Sequence, residues 1–183
     1  MTPVRSDAER SRARILTAAR THAADDLRLN EIAREAGVGV ATVYRHFPTV
    51  HSLVEALTLG TVERMLALSQ QAADDPDPGA AFSTYLRSAL ALHLEDDGLQ
   101  RILLADRDED PAIHAVKVEI VAAASRLLAR AQDAGDVRAD LTLEQLEHLV
   151  CGIELALRLG VPDDRELFTE VLFAGIRARP SDC

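Results

Sequence analysis

Apolar residues recur along this chain at intervals of three and four, and almost nowhere do they alternate one for one with polar residues. That period predicts helices throughout and strands nowhere, so the fold class expected is all-α. Ile15, Leu16 and Ala19 give a first helix its buried face. Ile32, Ala33 and Ala36 mark a short second one. Val43 and Phe47, four residues apart, anchor a third over Val40 to His46 that stops at Pro48. From Thr49 to about Gln71, Leu53, Leu57, Met65 and Leu68 trace a longer helix. The turn-rich stretch Asp74 to Gly79, DDPDPG, breaks the pattern. Four more helical stretches follow, Ala80 to Leu94, Pro111 to Ala134, Leu143 to Leu159 and Arg165 to Arg177, with a short one near Leu99 to Leu104.

The second and third helices carry the sharpest signal. Ala33 is small enough to let another helix cross closely, and Gly37 stands where the chain must leave its helix with positive φ. Val38 plugs the corner, and Val43 is the branched apolar anchor of the next helix. Ala33, Gly37 and Val43 stand at relative positions 1, 5 and 11, the steric requirement of a helix-turn-helix. An ordinary helical hairpin satisfies the same sterics. What separates the two is the outer face: Thr42, Tyr44, Arg45 and His46 are neutral or cationic, and no carboxylate occurs between Ala36 and Leu53. Such a surface suits phosphates, and double-stranded DNA is the partner expected.

The run AREAGVGVATVYRHFPT resembles the tetracycline-repressor (TetR) family of bacterial regulators, and the likeness extends from about Ser11 to about Leu57. The resemblance implies a three-helix head over 1–57 followed by a helical effector-binding and dimerisation bundle over 58–183. It implies that Gly39, Val40 and Ala41 face base edges and that Thr42, Tyr44 and His46 contact phosphate. Arg45 stands between these roles. The base-facing residues lack an amide or guanidinium that would pair bidentately with A or G, so readout is expected to lean on Arg45, Arg28, Asn30 and DNA shape. Two positions depart from the family pattern. Val50 replaces a frequent Lys, and Arg28 replaces a usual Thr or Ser cap, leaving Asp26 or Asn30 to cap the helix. The function implied is a homodimeric repressor released from a palindromic operator by a small-molecule effector. The alternative is a small-molecule-binding or sequestering protein with a vestigial head.

Charge first argues against DNA, because the 183 residues carry a net −10. Its distribution removes the objection: residues 1–57 sum to +1 and residues 58–183 to −11. An acidic body disfavours non-specific DNA contact and orients the head toward the duplex. Arg5, Arg10, Arg12 and Arg14 open the chain as possible phosphate or minor-groove contacts, or as a solvated helix start. No apolar run is long enough for a membrane span, and the charged N-terminus lacks a signal peptide's apolar core, so a cytoplasmic setting is expected. Cys151 and Cys183 show neither metal nor disulfide spacing. No nucleophile elbow, phosphate loop or cofactor motif is present, so neither enzyme activity nor a cofactor is expected. Glu154, an acid inside an apolar helix, is expected at a partly exposed or dimer-rim position.

The last two helices present broad apolar faces. Leu149, Ile153 and Leu157, with Phe168, Leu172 and Ile176, are the expected dimer contacts, and Gly152 and Gly175 permit close approach. A purely intramolecular core is the alternative. An effector pocket is expected among Leu86, Leu90, His93, Ile102, Leu103, Ile113, Val116, Ile120 and Leu127, most of which also serve as core. His93 shares a face with Leu86 and Leu90, as either a polar handle or a satisfied core histidine. Without Trp and with 3% aromatic residues, an aliphatic pocket is expected rather than an aromatic cage. His148 and Cys151 lie one turn apart, but no third soft ligand is near. The apolar neighbours of Cys151 point to an inert thiol and to no metal site.

Overall fold

The computed structural model describes residues 3–161 and 164–178, and the side chains from residue 7 onward. Arg5 and Cys183 therefore contribute no described side chain. The helices are α1 (Pro3–Ala19), α2 (Leu29–Glu35), α3 (Val40–His46), α4 (Val50–Ala73), α5 (Pro78–Glu95), α6 (Leu99–Leu103), α7 (Pro111–Asp133), α8 (Leu143–Leu159) and α9 (Asp164–Ile176), with one 3₁₀ turn at Ala24–Asp26. Among the described residues the only extended pairing is an isolated bridge between Val137 and Arg177. The protein is all-α, as its periodicity predicts.

The chain forms two compact units. One comprises residues 1–60 together with 97–114, and the other comprises 61–96 and 115–183. In the first, α1, α2 and α3 pack on one another around Ile15, Ala19, Ile32, Ala33, Val43 and Phe47, all buried. Residues 97–114 are tied into this head by polar links. The Asp97 carboxylate accepts the Ala24 N–H at 2.9 Å, and Glu55, 1% exposed on α4, accepts the N–H groups of Glu109 at 2.7 Å and Asp110 at 3.0 Å.

In the second unit α8 packs on α5 and α9. Phe82, Leu86, Ala89 and Leu90 of α5, Ile120, Leu127 and Leu128 of α7, and Leu146 and Val150 of α8 are buried. Helix α8 opens with a capping box: Thr142 Oγ1 accepts the Gln145 N–H at 3.1 Å, and Gln145 Oε1 accepts the Thr142 N–H at 3.0 Å. Helix α5 starts two residues earlier than its apolar period suggests. Asp77 caps it by accepting the Ala80 N–H at 3.0 Å, and Pro78 occupies the first turn, where a missing N–H costs nothing. The end of the DDPDPG break is thus already helix.

Candidate nucleic-acid interface

The turn between α2 and α3 is closed by two backbone bonds. Gly37 N–H reaches Arg34 O at 3.1 Å and Val38 N–H reaches Ala33 O at 3.0 Å, the paired pattern of a Schellman motif. Gly37 stands at φ +60°, the left-handed conformation this motif requires. Arg14 of α1 donates to Gly37 O at 3.0 Å, pinning the turn from below, and a Cβ on Gly37 would stand 2.5 Å from that guanidinium. Helix α2 begins at Arg28 without any side-chain cap, so neither Asp26 nor Asn30 performs the capping expected of them. Arg28 instead turns back on the chain, donating to Asp25 O at 3.0 Å and Leu27 O at 2.9 Å.

Helix α3 buries a single residue, Val43, and is closed by Phe47, whose N–H bonds Val43 O at 2.8 Å. Gly39, Val40, Ala41, Tyr44 and Arg45 are exposed, and Thr42 and His46 are half-buried. Arg28 and Asn30 are also exposed. None of the nine residues expected to meet DNA is consumed by the core. Among the described residues Arg45 has no carboxylate partner, and on α2 Glu35 is engaged with His22 Nε2 at 2.7 Å. The outer face of α3 thus combines small apolar residues with an unpaired cation and no carboxylate, which matches the demands of a phosphate-lined groove.

The chain leaving this face is held at its first turn. Thr49 Oγ1 contacts both carboxylate oxygens of Glu109, at 2.8 and 2.9 Å, six residues before the Glu55 latch. His51 Nε2 lies 3.3 Å from Glu55. The recruitment of 97–114 into the head was not legible from periodicity, because the links join residues more than 50 positions apart.

In the body, Leu86, Leu90, His93, Ile120 and Leu127 are buried and Val116 half-buried. Ile102 and Ile113, buried, and Leu103, half-buried, belong to the head unit instead. A groove of about 750 Å³ runs between α5 and α9, lined by Arg87, Leu90, Ala91, Leu94, Arg165, Glu166, Thr169 and Glu170, and of the expected pocket residues only Leu90 is on its wall. His93 proves to be a satisfied core histidine: its Nδ1 is 2.8 Å from Glu154 Oε2. Glu154 is 1% exposed, which corrects the expectation of a partly exposed or rim position. Burial pushes its carboxyl up, but the bonds from His93 and from Arg158 Nε, at 3.0 Å, outweigh that and hold it below the ordinary range. Arg158, four residues on, was the sequence signal for this network. Nearby, burial raises Glu147, and it pushes Tyr85 up to about 12, with the Glu147 charge adding to the effect.

The expected dimer residues divide. Leu149 is exposed and Ile153, Leu157 and Phe168 are half-buried, whereas Leu172 and Ile176 are buried in the chain's own core. The apolar side chains facing outward on α8 and α9 are Leu149, Leu155, Leu159, Leu167 and Val171, with Leu159 80% exposed. A Cβ built on Gly152 or Gly175 meets nothing within 4 Å. His148 is exposed while Cys151 is buried, and among the described residues no group of three metal-ligating side chains comes together.

A helix-turn-helix head with an acid-free outer helix, followed by a separate helical body, defines a DNA-binding transcriptional regulator. The chain belongs to the TetR family. Residues 15–57 match the family model described as bacterial regulatory proteins, tetR family, and residues 77–178 match that described as transcriptional regulator SbtR-like, C-terminal domain. Among solved structures, the chain is 32% identical to a TetR regulatory protein from Mycobacterium vanbaalenii, over 96% of this chain and all of that one, with a TM-score of 0.47. It is 28% identical to a TetR regulator from Streptomyces coelicolor, over 92% of this chain and 99% of that one, with a TM-score of 0.52. RolR, solved in complex with its ligand resorcinol, shares the fold at 24% identity over 95% and 91% of the two chains, with a TM-score of 0.59. No curated protein matches the sequence.

Proposed function

We propose that this regulator is a cytoplasmic homodimeric repressor, released from a palindromic operator by a small-molecule effector. The observation that carries the DNA reading is the composition of α3, which spends Val43 alone on the core and leaves an uncharged-to-cationic face outside. Gly39, Val40 and Ala41 approach base edges through methyl and backbone contacts, Thr42, Tyr44 and His46 hold phosphates, and Arg45 discriminates between bases. Asn30 is free to add a polar contact, and Arg28, whose two carbonyl bonds both come from Nη1, keeps its other N–H groups for DNA.

The exposed leucines of α8 and α9 support a two-fold dimer, whose assembly sets two recognition helices on two half-sites. The effector acts on the body as a population shift. The polar links of 97–114 to Thr49 and Glu55 offer the route inward, since they fasten a segment drawn from the middle of the chain to the helix that follows α3. Among the described residues no helix is long and apolar enough to cross a membrane, in keeping with this setting.

Selection of duplexes from a random pool by the purified protein tests the reading. An inverted repeat is expected. Thr42→Ala and Tyr44→Phe should weaken its binding without altering the preferred sequence, and Arg45→Ala should alter the preference. Unchanged binding in the first two would remove their phosphate roles. Failure to enrich any sequence would leave ligand binding or sequestration by the body as the activity to pursue.

A further inference from the structure

The segment that leaves the recognition helix has no strong cation: after Arg45 neither Lys nor Arg occurs until Arg64. A helix docked in the major groove is flanked by phosphates at both ends, so this end needs a cation from elsewhere in the fold. Helix α1 supplies the candidates, and the structure sorts them. Arg10 is paired with Asp7. Arg14 is bonded to Gly37 O and holds the turn. The guanidinium of Arg12 lies over the ring of Phe47, 5.5 Å from its centroid, at the residue that closes α3. Arg12 is exposed and, among the described residues, has no carboxylate partner.

We infer that Arg12 is a phosphate-binding residue, held over the Phe47 ring by a cation–π contact so that its guanidinium stands ready at the C-terminal end of the recognition helix. This rests on the DNA-binding reading of α3. A cation–π contact uses none of the guanidinium's N–H donors and so leaves them for a phosphate, and a side chain already held in place loses less freedom when it binds. Phe47 itself is 2% exposed, so its ring acts as a fixed platform. The contact would be blind to sequence, in contrast to Arg45 on the outer face.

The test uses the full-length protein and the duplex that the wild type selects from a random pool, titrated across salt concentrations. Arg12→Gln keeps much of the side chain's bulk and removes its charge. It should weaken binding about tenfold at low salt and reduce the slope of log affinity against log salt by about one for each chain bound, equally for the selected and a scrambled duplex. Arg12→Lys should keep the wild-type slope. A wild-type slope in Arg12→Gln would overturn the inference, whether or not its melting temperature falls, and would leave Arg12 as a cover for the Phe47 ring. If the wild type itself binds no duplex selectively, the reading of α3 fails first.

Discussion

Helices α3 and α8 distribute their residues in opposite ways. Helix α3 hides one aliphatic side chain and shows water Tyr44 and Arg45, with Thr42 and His46 in part, beside the small apolar Val40 and Ala41. Helix α8 hides a carboxylate, paired with His93 and Arg158, and shows water Leu149, Leu155 and Leu159. Each arrangement is incomplete in a single chain in water. The α3 face lacks the anions that would balance it, and the α8 face leaves apolar area wet that association would cover at roughly 25 cal/mol per Å². The contrast teaches that polarity alone does not mark a working surface. What marks it is a mismatch with water that a definite partner removes: a polyanion for the first and, in the proposed dimer, a second apolar face for the other.

On DNA binding, the largest expected effect comes from spoiling the α8 and α9 face. Leu155→Glu combined with Val171→Glu alters side chains that are 55% and 58% exposed, so the chain should keep its helicity. It should sediment as a single chain and lose roughly a hundredfold or more in affinity for the two-site duplex, the scale on which linked binding exceeds single-site binding. A variant that remains a dimer would remove this face from the interface. Replacing the hidden ion tests the other half of α8. Glu154→Ala leaves His93 and Arg158 without their shared acceptor and should cost about 3–5 kcal/mol in urea unfolding. A cost near zero would mean the network adds little to folding.

In the head, Gly37→Ala forces a side chain into the left-handed region beside Arg14 and should destabilise by about 1–2 kcal/mol. Adding Arg14→Ala relieves the clash but not the backbone strain, so most of the loss should persist in the double variant. The smallest effect is one of pH. Glu154 titrates below its ordinary range in the folded body, so its contribution is present above about pH 4.3 and is lost as pH falls through the lowered value. Glu147 has the opposite sign: raised by burial, it costs stability as pH climbs from its unfolded value through the raised one. Urea midpoints measured against pH should therefore lose their acid-side fall in Glu154→Gln and their decline above it in Glu147→Gln.

The helix-turn-helix was legible because its determinants lie within eleven residues, Ala33 to Val43, and each acts through local sterics. The helical spans were legible for the same reason. The working faces of the body were not. Helix α9 is apolar on two sides, and its period cannot say that Leu172 and Ile176 turn inward while Leu167 and Val171 turn out. Glu154 looked misplaced in sequence because its partner His93 lies 61 residues away. The sequence also could not show that Arg28 Nη1 bonds two carbonyls of its own turn, an arrangement decided by backbone geometry rather than residue type.

The most direct test of the paired surfaces is the stoichiometry and affinity of the protein on its selected duplex, compared with a duplex carrying one half-site. Two chains are expected on an inverted repeat, with a loss of roughly two orders of magnitude on the half-site. One chain per duplex, bound equally well to both, would rule out a dimer acting through paired recognition helices.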